Sequence, residues 1–187
     1  MIKTALLLFC LMLMQASLHI KTADARSEDV LHALSGRYSW HFKNGNVQGD
    51  VYWSDDVVEI VPVGDNGAYI RIDLEFFNDH KCLIDGVGKV DGKQILYTDN
   101  DRTRLLLNDK PCILSLLRQG NNLLIDDGNG GCKMHCGMRG SFIKQTVPFA
   151  SRRPISYMKI LMASKQYKNA LDVWDSRQND EGSSTHQ

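Results

Sequence analysis

The stretch Ile70-Arg-Ile-Asp-Leu-Glu-Phe76 sets Ile70, Ile72, Leu74 and Phe76 at every second position, with Arg71, Asp73 and Glu75 between them. Successive side chains of a strand point to opposite faces, so this period of two predicts a strand with one face on a core and one toward water. Upstream, Gly36–Lys43 repeats the pattern, with Tyr38, Trp40 and Phe42 on one face and Arg37, Ser39, His41 and Lys43 on the other. Asn44-Gly45 then predicts a tight hairpin turn, and Val47, Val51 and Trp53 mark the return strand, followed by the apolar run Val57–Val61. Downstream, Cys82–Val90, Gln94–Tyr97, Cys112–Arg118 and Leu123–Asp126 are bounded by Gly, Asn and Asp clusters. Short strands at such close spacing predict an all-β to α+β fold, an antiparallel β-sandwich or small barrel.

The pattern changes after Phe142. Ser151-Arg-Arg-Pro154 reads as a helix entrance leading to Met158, Leu161 and Met162, and Ser164 reads as a second start leading to Tyr167, Ala170, Leu171 and Trp174. Two short C-terminal helices that pack on or cap the sheet are therefore expected. The expected organisation is a signal peptide over residues 1–25, a disulfide-stapled β domain over 26–150, a helical appendage over 151–175 and a disordered tail over 176–187, where nothing is apolar enough to bury.

The amino-terminal reading rests on Lys3, the apolar run Ala5–Met14 and the small-residue site Ala23-Asp24-Ala25, the order of a secretory signal cleaved after Ala25. The run is about half of the roughly 20 residues a membrane-spanning helix needs. A periplasmic or secreted protein, with no membrane span after cleavage, is the expectation. Lys and Arg together number 22 and Asp and Glu 22, so no global field favours nucleic acid or another polyanion.

Cysteine arithmetic agrees with export. Removal of Cys10 with the signal leaves Cys82, Cys112, Cys132 and Cys136, an even set that allows two disulfides in three connectivities. The hairpin turning at Gly120-Asn121 carries Cys112 opposite the neighbourhood of residue 129, so one bulge brings Cys132 within reach, and Cys82 is left for Cys136. The competing reading is zinc, since Cys132-Lys-Met-His135-Cys136 and His80-Lys-Cys82 crowd potential ligands together. Oxidised cysteines cannot supply thiolates, and the three-residue spacer departs from the C-x-x-C of zinc knuckles and redox centres. No metal and no cofactor are expected.

The chain contains no H-E-x-x-H, no G-x-S-x-G and no P-loop, so a non-enzymatic protein is expected. His41 and His135 read as surface or structural residues. Asp55-Asp56 and Asp126-Asp127 read as solvated turn acids, because neighbouring strand residues face opposite ways and cannot share a glycosidase cleft. A cleft uniting either histidine with acids distant in sequence would argue for an enzyme.

At Leu74-Glu-Phe-Phe-Asn-Asp-His-Lys-Cys82, Cys132-Lys-Met-His-Cys-Gly-Met-Arg-Gly-Ser-Phe142 and Ser151-Arg-Arg-Pro-Ile-Ser-Tyr-Met158 the chain resembles an uncharacterised family of exported Gram-negative proteins. That likeness covers roughly Gly36 to Trp174 and brings no activity with it. More loosely, Cys136-Gly-x-Arg-Gly-x-Phe142 and Ser35-Gly-Arg-Tyr38 resemble segments of periplasmic lysozyme inhibitors, small β-barrels that present a loop to the lysozyme cleft. In those inhibitors the Ser-Gly-x-x-Tyr loop ends a late strand, whereas here Ser35-Gly-Arg-Tyr38 begins the first one and is one residue shorter between Gly and Tyr. The resemblance implies partner-binding roles for Ser35 and Arg37, or for Gly137, Arg139, Gly140 and Ser141. Arg139 on a glycine-flanked loop could pair a carboxylate in an acidic cleft, while the competing reading gives both glycines to a tight turn beside Cys136. The expected function is an inhibitor or immunity-type protein whose protein partner is a cell-wall lytic enzyme, a peptidoglycan hydrolase. The alternative is an envelope-assembly or small-ligand module in which Tyr38, Trp40 and Phe42 with Ile70, Ile72 and Leu74 line an apolar cavity.

Overall fold

The computed structural model describes residues 27–99 and 110–184. Eight strands follow one another in a single antiparallel sheet: β1 Gly36–Gly45, β2 Val51–Val63, β3 Gly67–Phe76, β4 His80–Asp91, β5 Gln94–Asp99, β6 Cys112–Gln119, β7 Asn122–Asp126 and β8 Gln145–Pro148. A helix, α1, covers residues 27–34, and α2 Met158–Ala163 and α3 Lys165–Ser184 close the described chain. The sheet curls into a nearly closed barrel. Its first edge meets the segment after β8 through an Arg37–Arg153 bridge, and the Ser39 amide donates to Ser151 Oγ at 3.1 Å.

Alternation decides which face enters the barrel. Tyr38, Val58, Ile60, Ile70, Ile72, Leu74, Ile84, Ile95, Leu114, Leu116, Leu123 and Ile125 point inward and form one buried cluster, and Leu31 and Leu34 of α1 join it. Burying each such side chain fully is worth about 1.5–3 kcal/mol. The outer face of β2–β4 carries a second cluster, in which Val61, Tyr69 and Val87 are covered by Ile155, Leu161, Tyr167 and Ala170. The two C-terminal helices thus pack on the sheet as the i, i+3, i+4 spacing predicts.

Several boundaries differ from the sequence reading. The β1–β2 turn is not at Asn44-Gly45: both residues stay in β1, and the chain reverses over 46–50, where the Asn46 side chain accepts the Gln48 and Asp50 amides. Ser151-Arg-Arg-Pro154 does not open a helix, because Arg153 exchanges two backbone hydrogen bonds with Arg37 on the β1 edge, and α2 starts only at Met158. Ser164 does act as a start, accepting the Tyr167 amide at 3.2 Å. Residues 176–184 continue α3 and are not a disordered tail. Residues 185–187 and the expected signal over 1–25 lie outside the described residues. Neither α1 nor β8 was foreseen.

Candidate functional site

The barrel end that holds the β1–β2 and β3–β4 turns is closed by two disulfides, Cys82–Cys136 and Cys112–Cys132, the pairing expected from the β6–β7 register. The single bulge expected to bring Cys132 to Cys112 is not what the structure uses: β7 ends at Asp126, and a five-residue 3-10 helix, Gly131–His135, tied down by Asp127, carries Cys132 to its partner. Asp127 was read as a solvated acid, but it is buried and accepts the Gly131 and Cys132 amides at 3.1 and 2.9 Å. A carboxylate replaces the ladder partners that the chain loses where it leaves β7.

From that turn the loop Gly137–Ser141 crosses back over β4. The Gly137 amide donates to the Lys81 carbonyl, and a Cβ on Gly140 would lie 2.6 Å from Cys82 Sγ, so this position has no room for a side chain. Lys133 Nζ donates to the carbonyl oxygens of Gly137, Met138 and Gly140 at 3.1, 2.9 and 2.6 Å. The glycines therefore do serve a tight bend beside the disulfide, and the bend turns Met138 and Arg139 outward. Met138 is 84% exposed. The Arg139 guanidinium lies 5.3 Å from the centre of the Phe77 ring, and that ring sits where a Cβ on Gly45, at the hairpin end, would meet it. Ser141 turns back into the loop, its Oγ accepting the Ile143 amide.

The hairpin beside this loop is exposed on both faces. Because β2 pairs with β3 only from Val57, residues 51–56 have β1 alone as ladder partner. Trp40, expected on a half-buried face, is 47% exposed, and on the opposite face Trp53 is 59% exposed and stacked on His41 at 4.5 Å. Val47, Val51, Phe77 and Met138 are exposed apolar side chains at the same end of the barrel. At the hairpin base Asp56 accepts the Glu75 amide at 2.8 Å, and burial, reinforced by Glu75, Asp73 and Asp55, pushes its carboxyl up to about 6.

The other resemblance segment lies elsewhere. Ser35 follows α1, its amide bonded to the Leu31 carbonyl, and Arg37 sits 3.9 Å from Glu59. Ser35 and Arg37 therefore flank the opposite end of β1 from Arg139, and the structure does not bring the two segments together. Glu59 itself is a buried carboxylate on the outer face, 2.6 Å from Arg71 and hydrogen-bonded by the Tyr157 hydroxyl. Sequence reading missed this cluster, since its members come from β1, β2, β3 and the segment before α2.

A cleft of about 580 Å³ lies between α3 and the outer side of β4 and β5, bordered by Tyr97, Asn169, Val173, Trp174 and Arg177. His135 lines it, and its Nε2 is 3.1 Å from Asp99, a residue 36 positions away. Among the described residues, no group of three His, Cys, Asp or Glu side chains is placed to hold a metal ion. Tyr38, Ile70, Ile72 and Leu74 pack against one another in the barrel interior, while Trp40 stands outside it.

No protein-family model matches the chain, nor does any curated protein or solved structure. Among the described residues, no helix is long and apolar enough to cross a membrane.

Proposed function

We propose that this is an exported, non-enzymatic binding protein of the inhibitor or immunity type, directed at a cell-wall lytic enzyme of the lysozyme kind. The observation that carries the reading is the disulfide-closed rim, on which one short loop holds Arg139 and Met138 outward at the end of the barrel where Phe77, Val47 and Val51 are also exposed. A rim with aromatic, methionine and arginine side chains has the composition of a protein-binding surface. Many glycan-cleaving enzymes work with two carboxyl groups in a cleft, and a guanidinium is the cation whose planar fork matches a carboxylate. Two disulfides suit an oxidising compartment, and cleavage after Ala25 would leave α1 whole.

The test is inhibition. Purified mature protein should slow at least one peptidoglycan hydrolase, and Arg139→Ala should weaken that effect without lowering thermal stability. No inhibition across c-type, g-type and i-type lysozymes and amidases would overturn the proposal.

The cleft beside α3 favours a second reading, a small-ligand module, because its volume falls within the roughly 300–1,000 Å³ of small-molecule sites. His135 with Asp99 unites a histidine with an acid distant in sequence inside a cleft, the arrangement that argues for an enzyme; among the described lining residues there is no Ser, Thr or Cys, so the nucleophile such a base would activate is water. Saturable, stoichiometric binding of a small envelope metabolite that Trp174→Ala abolishes would favour this reading over the inhibitor.

A further inference from the structure

Ser151-Arg-Arg-Pro154 does not start a helix, which leaves its two arginines to be explained. They lie at the α1 end of the barrel with Arg118 of β6; Arg118 and Arg152 stand against Phe149, and Arg153 follows on the segment bridged to Arg37. The guanidinium carbons of Arg118 and Arg152 stand 4.3 and 5.5 Å from the centre of the Phe149 ring. Their hydrogen bonds go to backbone carbonyls, Arg118 Nε to Gly120, Arg152 Nη1 to His32 and Ala33, and Arg153 Nη1 to Ala150 and Arg152, and Arg152 also acts on the buried Tyr38 hydroxyl. Among the described residues none of the three has a carboxylate within ion-pair distance, and Glu59 serves Arg37 and Arg71 instead. In a chain whose acids and bases balance at 22 each, three cations gathered without an acid are a local segregation of charge.

We propose that Arg118, Arg152 and Arg153 form a binding site for phosphate groups. Each guanidinium carries five N–H donors in a fixed plane, and carbonyl contacts through one nitrogen leave most of them toward solvent. Phe149 holds two of the planes in place, so less side-chain freedom is lost when an anion arrives. An anion with several oxygens relieves the mutual repulsion and can accept paired N–H bonds, the geometry in which arginine exceeds lysine. The site is independent of the partner proposed above, because the ten residues of β1 separate it from the Arg139 rim by roughly 33 Å.

Two sources of phosphate are separable by experiment. The protein is mixed with vesicles of phosphatidylcholine alone or with an equal share of phosphatidylglycerol, and is titrated separately with inorganic pyrophosphate. Binding to the anionic vesicles that pyrophosphate displaces assigns a lipid headgroup, and binding of pyrophosphate alone assigns a soluble ligand. In either case Arg118→Gln with Arg153→Gln should weaken binding about tenfold or more, at about 1 kcal/mol per surface cation. Arg152 is left in place because it caps α1, and Lys159→Gln with Lys168→Gln removes the same charge from exposed helix positions as a control. Failure to bind either probe, or an equal loss in the arginine and lysine double variants, would overturn the site.

Discussion

The Lys133 ammonium donates to the Gly140 carbonyl oxygen at 2.6 Å, and the same nitrogen reaches the carbonyls of Gly137 and Met138. One cation thus fills the concave side of the loop whose convex side presents Arg139. Lys133→Met keeps the stem and removes the three bonds, at a cost of about 1 kcal/mol because the loop carbonyls can turn to water. Hydrogen exchange should accelerate at the Gly140 amide, which the bend holds against Gly137, while the β3 amides stay protected. Unchanged exchange at Gly140 would show that the disulfide alone fixes the loop.

Glu59 joins the barrel to the helical appendage. Removing its charge by Glu59→Gln leaves Arg37 and Arg71 without a shared counter-ion and weakens the Tyr157 contact. The loss should be about 2–3 kcal/mol, below that of a fully buried pair, because both guanidiniums keep contact with water. Denaturant unfolding measures it, and limited proteolysis should cut within α2 or α3 sooner than in the parent. Tyr157→Phe, which leaves both ion pairs, should cost about 1 kcal/mol.

Asp56 predicts a pH dependence. Its carboxyl is raised by burial from 3.8 to about 6, so between those values the folded protein holds a proton that the unfolded chain has released. Stability from this group is therefore greatest on the acid side and is lost as pH rises through about 6. Asp56→Asn cannot ionise and still offers an acceptor to the Glu75 amide. Its unfolding free energy should match the parent near pH 4 and exceed it near pH 7, by an amount on the order of 1–2 kcal/mol given partial solvent contact. A parent whose stability rises from pH 5 to 7 while the variant's does not would contradict the assignment.

Local alternation was enough to place β3, β4, β6 and β7, and the β6–β7 register was enough to pair Cys112 with Cys132, because both are short-range properties of the chain. Features that depend on which strands run out of partners were not legible. Trp40 obeys the same alternation as Tyr38, yet only Tyr38 has the barrel above it, since β3 accompanies β2 only as far as Val57. Asp127 has the composition of a solvated turn, and its burial follows from amides four and five residues ahead that need an acceptor. β8 offers one buried residue, Val147, in four, too little for any period. In the candidate site, Arg139 was legible as a glycine-flanked cation, whereas its neighbour Phe77 and its brace Lys133 required the three-dimensional path of the loop.

The two disulfides should separate stability from loop presentation. On the chain-entropy estimate, closing the 20-residue span of Cys112–Cys132 is worth about 3 kcal/mol and the 54-residue span of Cys82–Cys136 about 4 kcal/mol. Their local consequences differ more than these values. Cys112–Cys132 lies under the turn that Asp127 already caps, so the double alanine variant should unfold at lower denaturant yet keep its exchange pattern at Gly137 and Gly140. Cys82–Cys136 is the surface on which Gly140 rests, so Cys82→Ala with Cys136→Ala should also free the Gly137–Ser141 loop. If the Arg139 rim binds the partner, this second variant loses inhibition beyond its loss of stability, and the first keeps inhibition at temperatures where it remains folded. Equal inhibition by both folded variants would mean that the loop does not need its covalent anchor to present Arg139.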